Sequence, residues 1–375
     1  MNIQSKYNLN YSIDTMEYNK FNNIINNRDI IYVPIVSCIN RQTGEYDLSC
    51  DGNVNRFITT FTYCNNFNNL HIILPSKHVS NSECLIEKWI LDSKNNIIIH
   101  YCEHFGIHAG EQRNDSKVVL SMLSYIERTF DLTNKMMIFE SQRLCELFLN
   151  TYKEHKDVIF YNPVSKVLNK TRIFLEGYDE INDYLVNKCL YTIVCGPDQV
   201  EHYKKYKDKI IYLDKLIDRD INVFSKYNKV EEFDNKLVKL DGDVYYLPFR
   251  LTDEGYQFNK VVNFIKTNSK NNYFILYSDP NNSKILDTFD FDDDFKSKFI
   301  KVSTERDLYY TIIDSYKSVI IPYFEDLDFI NHAAIHEFIN DKAKCIIYVD
   351  RKLNNPYNIN NCKRVKFIDL NDYEY

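Results

Sequence analysis

The chain has 375 residues, of which 44% are hydrophobic and 26% are charged, a balance typical of folded domains rather than disordered or membrane-spanning chains. This length predicts two domains of ordinary size. The net charge of −7 excludes a polycation that coats nucleic acid along its whole length, but it allows a local basic groove. The 8 glycines form neither a Walker loop nor a Gly-rich dinucleotide fingerprint. A bound phosphate would therefore be held by side chains and helix N-termini.

The 10 cysteines are scattered, and no C-x-x-C pair occurs among them, so the sequence encodes neither a zinc knuckle nor a thioredoxin-type redox site. Reduced thiols are the simpler interpretation for a chain of this length. The segment Met1–Asn27 is polar and lacks the apolar centre of a signal peptide. No apolar run approaches the ~20 residues of a membrane helix. We therefore expect a soluble cytoplasmic protein with no membrane association and no obligate protein partner.

Compact apolar blocks alternate with helical patterns in the first half of the chain, as expected for a parallel sheet buried on both faces. The predicted strands are Ile30–Ser37, Leu70–Leu74, Ile97–Tyr101, Lys135–Phe139, Val158–Tyr161 and Tyr191–Cys195. The predicted helices between them include Val54–Tyr63, Ser116–Phe130 and Ser141–Tyr152. Ser141 is the predicted N-cap of the last of these.

The second half repeats this alternation, with strand starts roughly 20 to 30 residues apart, which suits β-α-β units with right-handed crossovers. The predicted strands are Val244–Leu247, Tyr273–Tyr277, Phe299–Val302, Val319–Ile321, Cys345–Val349 and Val365–Ile368. The predicted helices are Glu254–Thr267, Thr304–Ser315 and Phe329–Asn340.

These patterns predict an α/β protein with two tandem, doubly wound, Rossmann-like domains. The first covers residues 1–215 and the second covers 241–375, and a charged connector, 216–240, joins them. Ligands of such folds bind beyond the carboxyl ends of the strands, and the natural site of a two-domain arrangement is the cleft between the domains.

The first segment with possible chemistry directly follows the predicted strand Ile97–Tyr101. Glu103 and His104 are expected at the carboxyl edge of the sheet, where Glu103 could act as a base or an electrostatic stabiliser and His104 as a hydrogen-bond donor or proton shuttle. Gly106 and Gly110 suggest backbone that a ligand approaches closely. The alternative is an ordinary loop in which Glu103 pairs with Arg113.

A metal site is a competing interpretation of the same segment, because His104 and His108 are four residues apart and Glu111 is close. However, Gly106 and Gly110 disfavour a regular helix there, and the order H-E-x-x-H of zinc proteases is missing. We therefore expect no bound metal.

In the second segment, Arg250 emerges from the strand Val244–Leu247. Thr252 or Asp253 would cap the helix that follows. A guanidinium beside a helix N-terminus suits a diphosphate. The alternative is a salt bridge from Arg250 to a carboxylate of the other domain.

The third segment follows Pro322. His332 and Ala333, near the start of a predicted helix, could present donors to a phosphate, and Glu337 could accept hydrogen bonds from a ribose diol. A metal pair of His332 and His336 is conceivable. The structural alternative is an ordinary amphipathic helix.

At these three segments the sequence resembles the GT-B-fold glycosyltransferases. More narrowly, it resembles the retaining α-glucosyltransferases with which T-even-type bacteriophages modify hydroxymethylcytosine in DNA. Tyr101-Cys102-Glu103-His104 and Gln112-Arg113-Asn114 resemble the acceptor-side motif of that family. Arg250 and Gly255-Tyr256-Gln257-Phe258 resemble the element that grips the donor diphosphate. The sequence departs from the family at Glu254, which stands near the position of a family lysine, and at Phe329, where broader retaining families have a glutamate.

The resemblance implies a metal-independent glycosyltransferase that uses a UDP-sugar and needs no other cofactor. Its acceptor would be the hydroxymethylated bases of phage DNA. Under this resemblance the catalytic residues are Glu103 and His104, and the acceptor is bound by His108 and Arg113. The donor is bound by Gly52, Asn53, Arg250, His332, Ala333 and Glu337, with Lys260 replacing the missing lysine.

Two alternatives remain open. One is a GT-B transferase that acts on a surface glycan or a protein, and the other is a catalytically inactive double-Rossmann viral binding protein. The departures at Glu254 and Phe329 favour the inactive protein. For the interpretation with DNA, Lys204, Lys205, Lys207 and Lys209 form the densest basic run, although a solvated helix face explains it as readily.

Overall fold

A computed structural model of the protein describes residues 15–36, 52–75, 89–91, 93, 96–103, 111–112, 115–162, 178–195, 197–213, 242–249, 251, 257–269, 272–277, 285–301, 319–324, 345–350 and 365–373. These residues belong to two compact units, one within 15–213 and the other within 242–373. The predicted connector, 216–240, and both of its boundaries lie outside the described residues.

The N-terminal unit is a parallel sheet of seven strands in the order β3-β2-β1-β4-β5-β6-β7. Its elements in chain order are α1 (Thr15–Ile24), β1 (Asp29–Val33), α2 (Gly52–Tyr63), β2 (Asn69–Pro75), β3 (Asn96–Cys102), α3 (Ser116–Thr129), β4 (Lys135–Phe139), α4 (Gln142–Thr151), β5 (Val158–Asn162), α5 (Tyr178–Lys188), β6 (Tyr191–Val194), α6 (Pro197–His202), a 3₁₀ helix (Lys204–Lys209) and β7 (Ile210–Tyr212).

The C-terminal unit is a parallel sheet of six strands in the order β10-β9-β8-β11-β12-β13. Its elements are β8 (Asp243–Leu247), α7 (Phe258–Asn268), β9 (Tyr273–Tyr277), a 3₁₀ helix (Ile285–Thr288), α8 (Asp293–Ser297), β10 (Phe299–Lys301), β11 (Val319–Tyr323), β12 (Cys345–Asp350), β13 (Val365–Ile368) and a 3₁₀ helix (Leu370–Tyr373).

Both sheets are doubly wound. In each of them the first three strands are added in one direction, and the fourth is added on the other side of the first. The chain therefore reverses direction between β1 and β4 in the first sheet and between β8 and β11 in the second. We call these two places the switch points, because open α/β sheets bind ligands at the crevice that such a reversal creates.

The predicted architecture is confirmed, and three predicted strands have the observed bounds: Lys135–Phe139, Tyr273–Tyr277 and Val365–Ile368. β7 was missed because its three residues give too short an apolar pattern. α1 was missed because its sequence is rich in polar residues. The helices predicted at Thr304–Ser315 and Phe329–Asn340 lie outside the described residues.

α7 begins at Phe258 with Gln257 as its N-cap, so the prediction of a helix that continues through Gln257 is wrong. The predicted caps, Thr252 and Asp253, lie outside the described residues. Gln257 has φ 46° and ψ 49°, a left-handed conformation that breaks the regular helical geometry just before Phe258. Among the described residues that are not glycine, Asn27 and Asn134 also have positive φ, at 56° and 59°.

Aromatic side chains fill much of the N-terminal core. Tyr32 of β1 is fully buried, and its ring lies edge-on to Phe57 and Phe61 of α2, with centroids 5.6 and 5.2 Å apart. Such edge-to-face contacts add to the free energy gained by burying apolar area, so they fix α2 over the central strands. In the described part of the chain, no helix combines the length and the apolar character needed to cross a bilayer.

A pair of half-buried histidines joins β2 to β3. The Nδ1 atom of His71 lies 2.9 Å from the Nε2 atom of His100, and the Phe130 ring packs edge-on against both imidazoles. Burial and the charge of Lys135 lower the pKa of His71, against an opposing effect of Asp29. Burial and His71 lower the pKa of His100.

This pair predicts a loss of stability in acid. Because both pKa values are lower in the folded chain, the unfolded chain takes up protons first as the pH falls below the ordinary value of about 6.5. The free energy of unfolding of the N-terminal unit should therefore decrease from pH 7 towards pH 5. The variant His71→Gln/His100→Gln should show a shallower decrease in urea titrations across this range. Equal slopes in the variant and the wild type would refute the assignment.

Candidate functional site

Glu103 directly follows β3 at the carboxyl edge of the N-terminal sheet. Its side chain is exposed, and the preceding Cys102 is fully buried. The strand register pairs Cys102 with Pro75 and Ile72 with Tyr32. Glu103 therefore lies at the carboxyl edge of the sheet, one residue beyond the last pair of β2 and β3. The predicted position is observed, and the catalytic role of Glu103 stays a prediction.

Three predicted donor residues belong to the first turns of helices. Gly52 and Asn53 begin α2, and Lys260 lies in the first turn of α7 with a half-buried side chain. Since each helix follows a strand of a parallel sheet, its N-terminus lies towards the carboxyl edge where ligands bind. Their roles in binding a donor stay predictions.

The other predicted site residues lie outside the described part of the chain: His104, His108, Arg113, Arg250, His332, Ala333 and Glu337. Both metal alternatives depend on histidines in this group. Within the residues that the structure describes, no group of three or more His, Cys, Asp or Glu side chains is arranged to hold a metal ion.

The described residues at the C-terminal switch point are aromatic and apolar. Phe249 and Leu251, the residues on either side of Arg250 in the sequence, are 2% and 0% exposed. The Phe249 ring lies edge-on to that of Tyr323 at the end of β11, with a centroid distance of 6.1 Å. Phe324, the next residue, is also fully buried. The chain on both sides of Arg250 is therefore anchored in the domain core.

The N-terminal switch point is built around a buried carboxylate, that of Glu140, which directly follows β4 and is 2% exposed. Its Oε1 atom accepts hydrogen bonds from the Tyr32 hydroxyl at 2.5 Å and from Nη2 of Arg56. Its Oε2 atom accepts from the backbone N–H of Ile35 at 2.8 Å. We call these four residues the Glu140 network. It joins β1, α2 and β4.

Electrostatics agree with this geometry. Burial by itself would lower the pKa of Arg56, but the Glu140 carboxylate raises it above its ordinary value. Burial and the same carboxylate raise the pKa of Tyr32. The guanidinium therefore stays charged and the phenol stays protonated, so both remain donors to Glu140. An ion pair in such a low-dielectric site is strong once its hydrogen bonds are complete.

A second set of hydrogen bonds involves Gln112 and Ser141. The Gln112 side chain accepts from the Val36 N–H and donates to the Val36 carbonyl, both at 3.1 Å. The Ser141 hydroxyl donates to the Gln112 carbonyl at 2.9 Å and accepts from Leu144 N as the N-cap of α4. Gln112 and Ser141 are 0% and 1% exposed. The predicted cap is thus confirmed, and Ser141 has a second role.

Further polar groups are buried beside the Glu140 network. The Arg56 guanidinium lies 4.8 Å from the centre of the Tyr161 ring, a favourable cation–π distance. Arg56 Nε and the Tyr161 hydroxyl find no hydrogen-bond partner among the described residues. Thr60, which is close enough to influence the phenol, donates to the Arg56 carbonyl. Burial and the nearby Cys195 raise the pKa of Tyr161.

Sequence reasoning missed this network, although one signal was present. Glu140 directly follows a predicted strand, just as Glu103 does, so the argument applied to Glu103 applied to it equally. Arg56 and Thr60 are polar residues of a helix whose neighbouring positions Phe57 and Phe61 are buried. A charged residue within a buried helix face predicts a buried counter-charge.

The basic run largely serves the packing of the N-terminal unit. Lys205 forms an ion pair with Asp183 of α5 at 2.7 Å. Lys209 donates to the carbonyls of Asn187 and Cys189 at 2.5 and 3.0 Å, which places a cation at the C-terminus of α5, where the helix dipole favours it. Lys204 and Lys207 are exposed.

A groove of about 510 Å³ lies between α3 and α4. Its lining includes Val119, Leu120 and Leu147, together with the ion pair of Arg143 and Glu146. It contains none of the predicted site residues, so it is separate from the proposed site.

Solved structures resemble the whole chain. A glycosyltransferase from Rickettsia africae superposes with a TM-score of 0.51 at 12% identity, covering 92% of this chain and 84% of its own. The lipopolysaccharide outer core galactosyltransferase WaaB gives 0.50 at 10% identity, covering 92% and 88%. HepE from Anabaena, in complex with UDP and glucose, gives 0.51 at 7% identity, covering 86% and 81%. The chain has the GT-B fold.

The GT-B fold agrees with the two doubly wound sheets and their switch points. At these identities the likeness concerns the fold alone. No protein-family model matches the sequence, and a search of curated proteins finds no match.

The Glu140 network predicts a large cost for removing one charge. In Glu140→Gln the buried Arg56 loses its counter-charge, so the free energy of unfolding should fall by about 3–5 kcal/mol. Adding Arg56→Met to this variant should restore most of the lost free energy of unfolding, because no unpaired charge then stays buried. The amide oxygen of the introduced glutamine can still accept from the Ile35 N–H. Urea denaturation of each variant measures both effects.

The control is the more exposed pair of Arg28 and Asp157, 3.4 Å apart, where Asp157→Asn should cost less than about 1 kcal/mol. Equal costs for Glu140→Gln and Asp157→Asn would show that burial does not strengthen the first pair.

Proposed function

We propose that the protein is a glycosyltransferase that moves a sugar from a UDP-sugar to a hydroxyl acceptor. The observation that carries the proposal is the likeness of the fold, over 86% to 92% of the chain, to a glycosyltransferase, to a galactosyltransferase and to HepE. One of them is a complex with UDP and glucose. The resemblance of the Glu103 and Arg250 segments to glycosyltransferase motifs supports it independently.

The donor diphosphate is assigned to the C-terminal unit. Arg250 stands in the sequence between the buried anchors Phe249 and Leu251, directly after the carboxyl end of β8. A guanidinium offers paired donors to phosphate oxygens, and Lys260 in the first turn of α7 adds a second positive charge. In this proposal these cations stabilise the leaving diphosphate without a metal ion, and His332, Ala333 and Glu337 hold the rest of the nucleotide. Gly52 and Asn53 contact the sugar phosphate.

The acceptor is assigned to the N-terminal unit. In the proposed reaction the acceptor oxygen bonds to C1 of the sugar and the bond from C1 to the diphosphate oxygen breaks, which releases UDP. The acceptor proton passes to a base, and the exposed carboxylate of Glu103 is the candidate. His104 assists the proton transfer, and His108 and Arg113 orient the acceptor. The motif resemblance alone implies retention of the anomeric configuration, which in this single displacement would require the acceptor oxygen to attack C1 from the face that the diphosphate leaves.

Two acceptors are proposed. Hydroxymethylated bases of DNA follow from the motif resemblance, although Lys205 and Lys209 make contacts within the N-terminal unit. A surface glycan is the second candidate, since WaaB, which shares the fold, is a lipopolysaccharide galactosyltransferase. DNA would need a basic surface and an extruded base, and a glycan would need neither.

Donor binding is tested by its effect on the free energy of unfolding. UDP at 100 times its Kd should raise the free energy of unfolding by about 2.7 kcal/mol, whereas an inactive module without a nucleotide site should show no change. Arg250→Ala should abolish the increase. Arg128→Ala removes an exposed arginine of α3 and should retain it. An increase that survives in Arg250→Ala would remove Arg250 from the donor site.

Turnover is tested with Glu103→Gln, which should bind UDP like the wild type and lose sugar transfer, because the amide cannot take the acceptor proton. The control is Glu154→Gln, since Glu154 is an exposed carboxylate in the turn between α4 and β5, at the other edge of the sheet. Wild-type turnover in Glu103→Gln would show that Glu103 is not the base.

The acceptor is identified by incubating the protein and a set of UDP-sugars with hydroxymethylated DNA and, separately, with lipopolysaccharide. Mass spectrometry should detect a hexose or pentose on the nucleosides if DNA is the acceptor. Transfer to lipopolysaccharide alone would instead establish the glycan as the acceptor.

A further inference from the structure

Three segments meet at the carboxyl edge of the N-terminal sheet. One follows β1 and includes Ile35 and Val36. Another follows β4 and begins with Glu140 and Ser141. The third follows β3, begins with Glu103 and reaches Gln112 before α3 starts. Because the strands are parallel, these segments leave the sheet at the same edge.

The end of β1 leaves backbone groups that need partners. Pro34 has no N–H and cannot continue the sheet ladder, so the next two N–H groups, of Ile35 and Val36, leave the strand. Glu140 accepts the first and Gln112 accepts the second. Gln112 also donates to the Val36 carbonyl, so one side-chain amide satisfies both backbone groups of Val36. Buried polar groups are costly unless they are paired in this way.

These contacts connect the three segments to one another. Gln112 holds the segment after β1 with its side chain, and its own carbonyl accepts from Ser141 of the segment after β4. Gln112 is fully buried, so water cannot substitute for these partners. The residues just before α3, Glu111 and Gln112, are therefore fixed relative to the switch point through the contacts of Gln112.

We propose that Gln112 is a positioning residue, whose amide ties the residues just before α3, which follow Glu103 in the connection from β3, to the end of β1 at the N-terminal switch point. The catalytic consequence rests on the proposed function: Gln112 touches no substrate but aligns the carboxylate of Glu103 with the acceptor oxygen. A displacement of about 1 Å in such a group can reduce turnover by about 100-fold.

The chain provides a matched control in Gln199. It is 1% exposed, its Oε1 atom accepts from the Cys195 N–H at 2.9 Å, and its Nε2 atom donates to the Asn162 carbonyl at 3.4 Å. Like Gln112, it uses one buried side-chain amide to accept from a backbone N–H and to donate to a backbone carbonyl, here at the ends of β6 and β5. Neither of those strands flanks the switch point.

The experiment compares Gln112→Met with Gln199→Met, since methionine has nearly the volume of glutamine and forms no amide hydrogen bonds. The readouts are kcat and KM with UDP-glucose, or with whichever UDP-sugar the wild type turns over, UDP binding, and amide hydrogen exchange. We expect Gln112→Met to lower kcat about 100-fold with KM for the UDP-sugar unchanged. Exchange should accelerate at Val36 and in the peptide that contains Glu103. Gln199→Met should keep the wild-type kcat.

A second pair of variants applies if Gln112→Met fails to fold. Ser141→Ala removes the hydrogen bond to the Gln112 carbonyl along with the cap of α4. Asp292→Ala removes only a cap, because Asp292 accepts from Phe295 N at the start of α8. A decrease in kcat with Ser141→Ala and not with Asp292→Ala supports the proposal, and equal effects overturn it.

The outcomes separate this proposal from the proposed function. If the wild type turns over a UDP-sugar and Gln112→Met retains wild-type kcat, or loses no more than Gln199→Met, the positioning role is wrong and the proposed function stands. If the wild type neither binds UDP nor transfers sugar, the proposed function is wrong and hydrogen exchange decides the structural claim. Faster amide exchange near Glu103 in Gln112→Met, but not in Gln199→Met, then supports the positioning role of Gln112. Unchanged exchange in Gln112→Met overturns it.

Discussion

A carboxylate buried between two parallel strands must have its charge and its lone pairs compensated, and this requirement organises the N-terminal unit. Glu140 meets it with three partners: the Tyr32 hydroxyl from β1, the Arg56 guanidinium from α2 and the Ile35 N–H beyond β1. Because none of these donors is replaceable by solvent, α2 must lie over the central strands for the charge to be tolerated. The position of α2 is therefore set by polar contacts as well as by the packing of Phe57 and Phe61.

The two switch points use different means to hold the same topology. In the N-terminal unit the crevice between β1 and β4 contains charged and amide groups that fix the chain by directional hydrogen bonds. In the C-terminal unit the described residues of the crevice between β8 and β11 make aromatic contacts, such as that of Phe249 with Tyr323. Directional bonds define a backbone position sharply, whereas ring packing tolerates small shifts.

The sequence was sufficient for all the described strands except β7 and for their parallel arrangement, because blocks such as Lys135–Phe139 are apolar on both faces and are bounded by polar residues. It was also sufficient to place Glu103 at the carboxyl edge of the sheet, because that position depends only on where β3 ends. It could not supply the Glu140 network, since Arg56 and Tyr32 are 84 and 108 residues from Glu140, and their meeting depends on strand order and on the face that α2 covers. The left-handed Gln257 was missed because glutamine gives no local signal for that conformation.

The positive φ angles of Asn27, Asn134 and Gln257 bear on how a chain with only 8 glycines makes its sharp turns. Asparagine enters the left-handed region at little cost, because its short amide can bond to nearby backbone. Asn27 and Asn134 each lie just before a strand, β1 and β4 respectively, and these are the two strands that flank the N-terminal switch point. In a chain with so few glycines, asparagine can thus supply sharp turns next to the strands of a doubly wound sheet. The same two positions would also accept glycine.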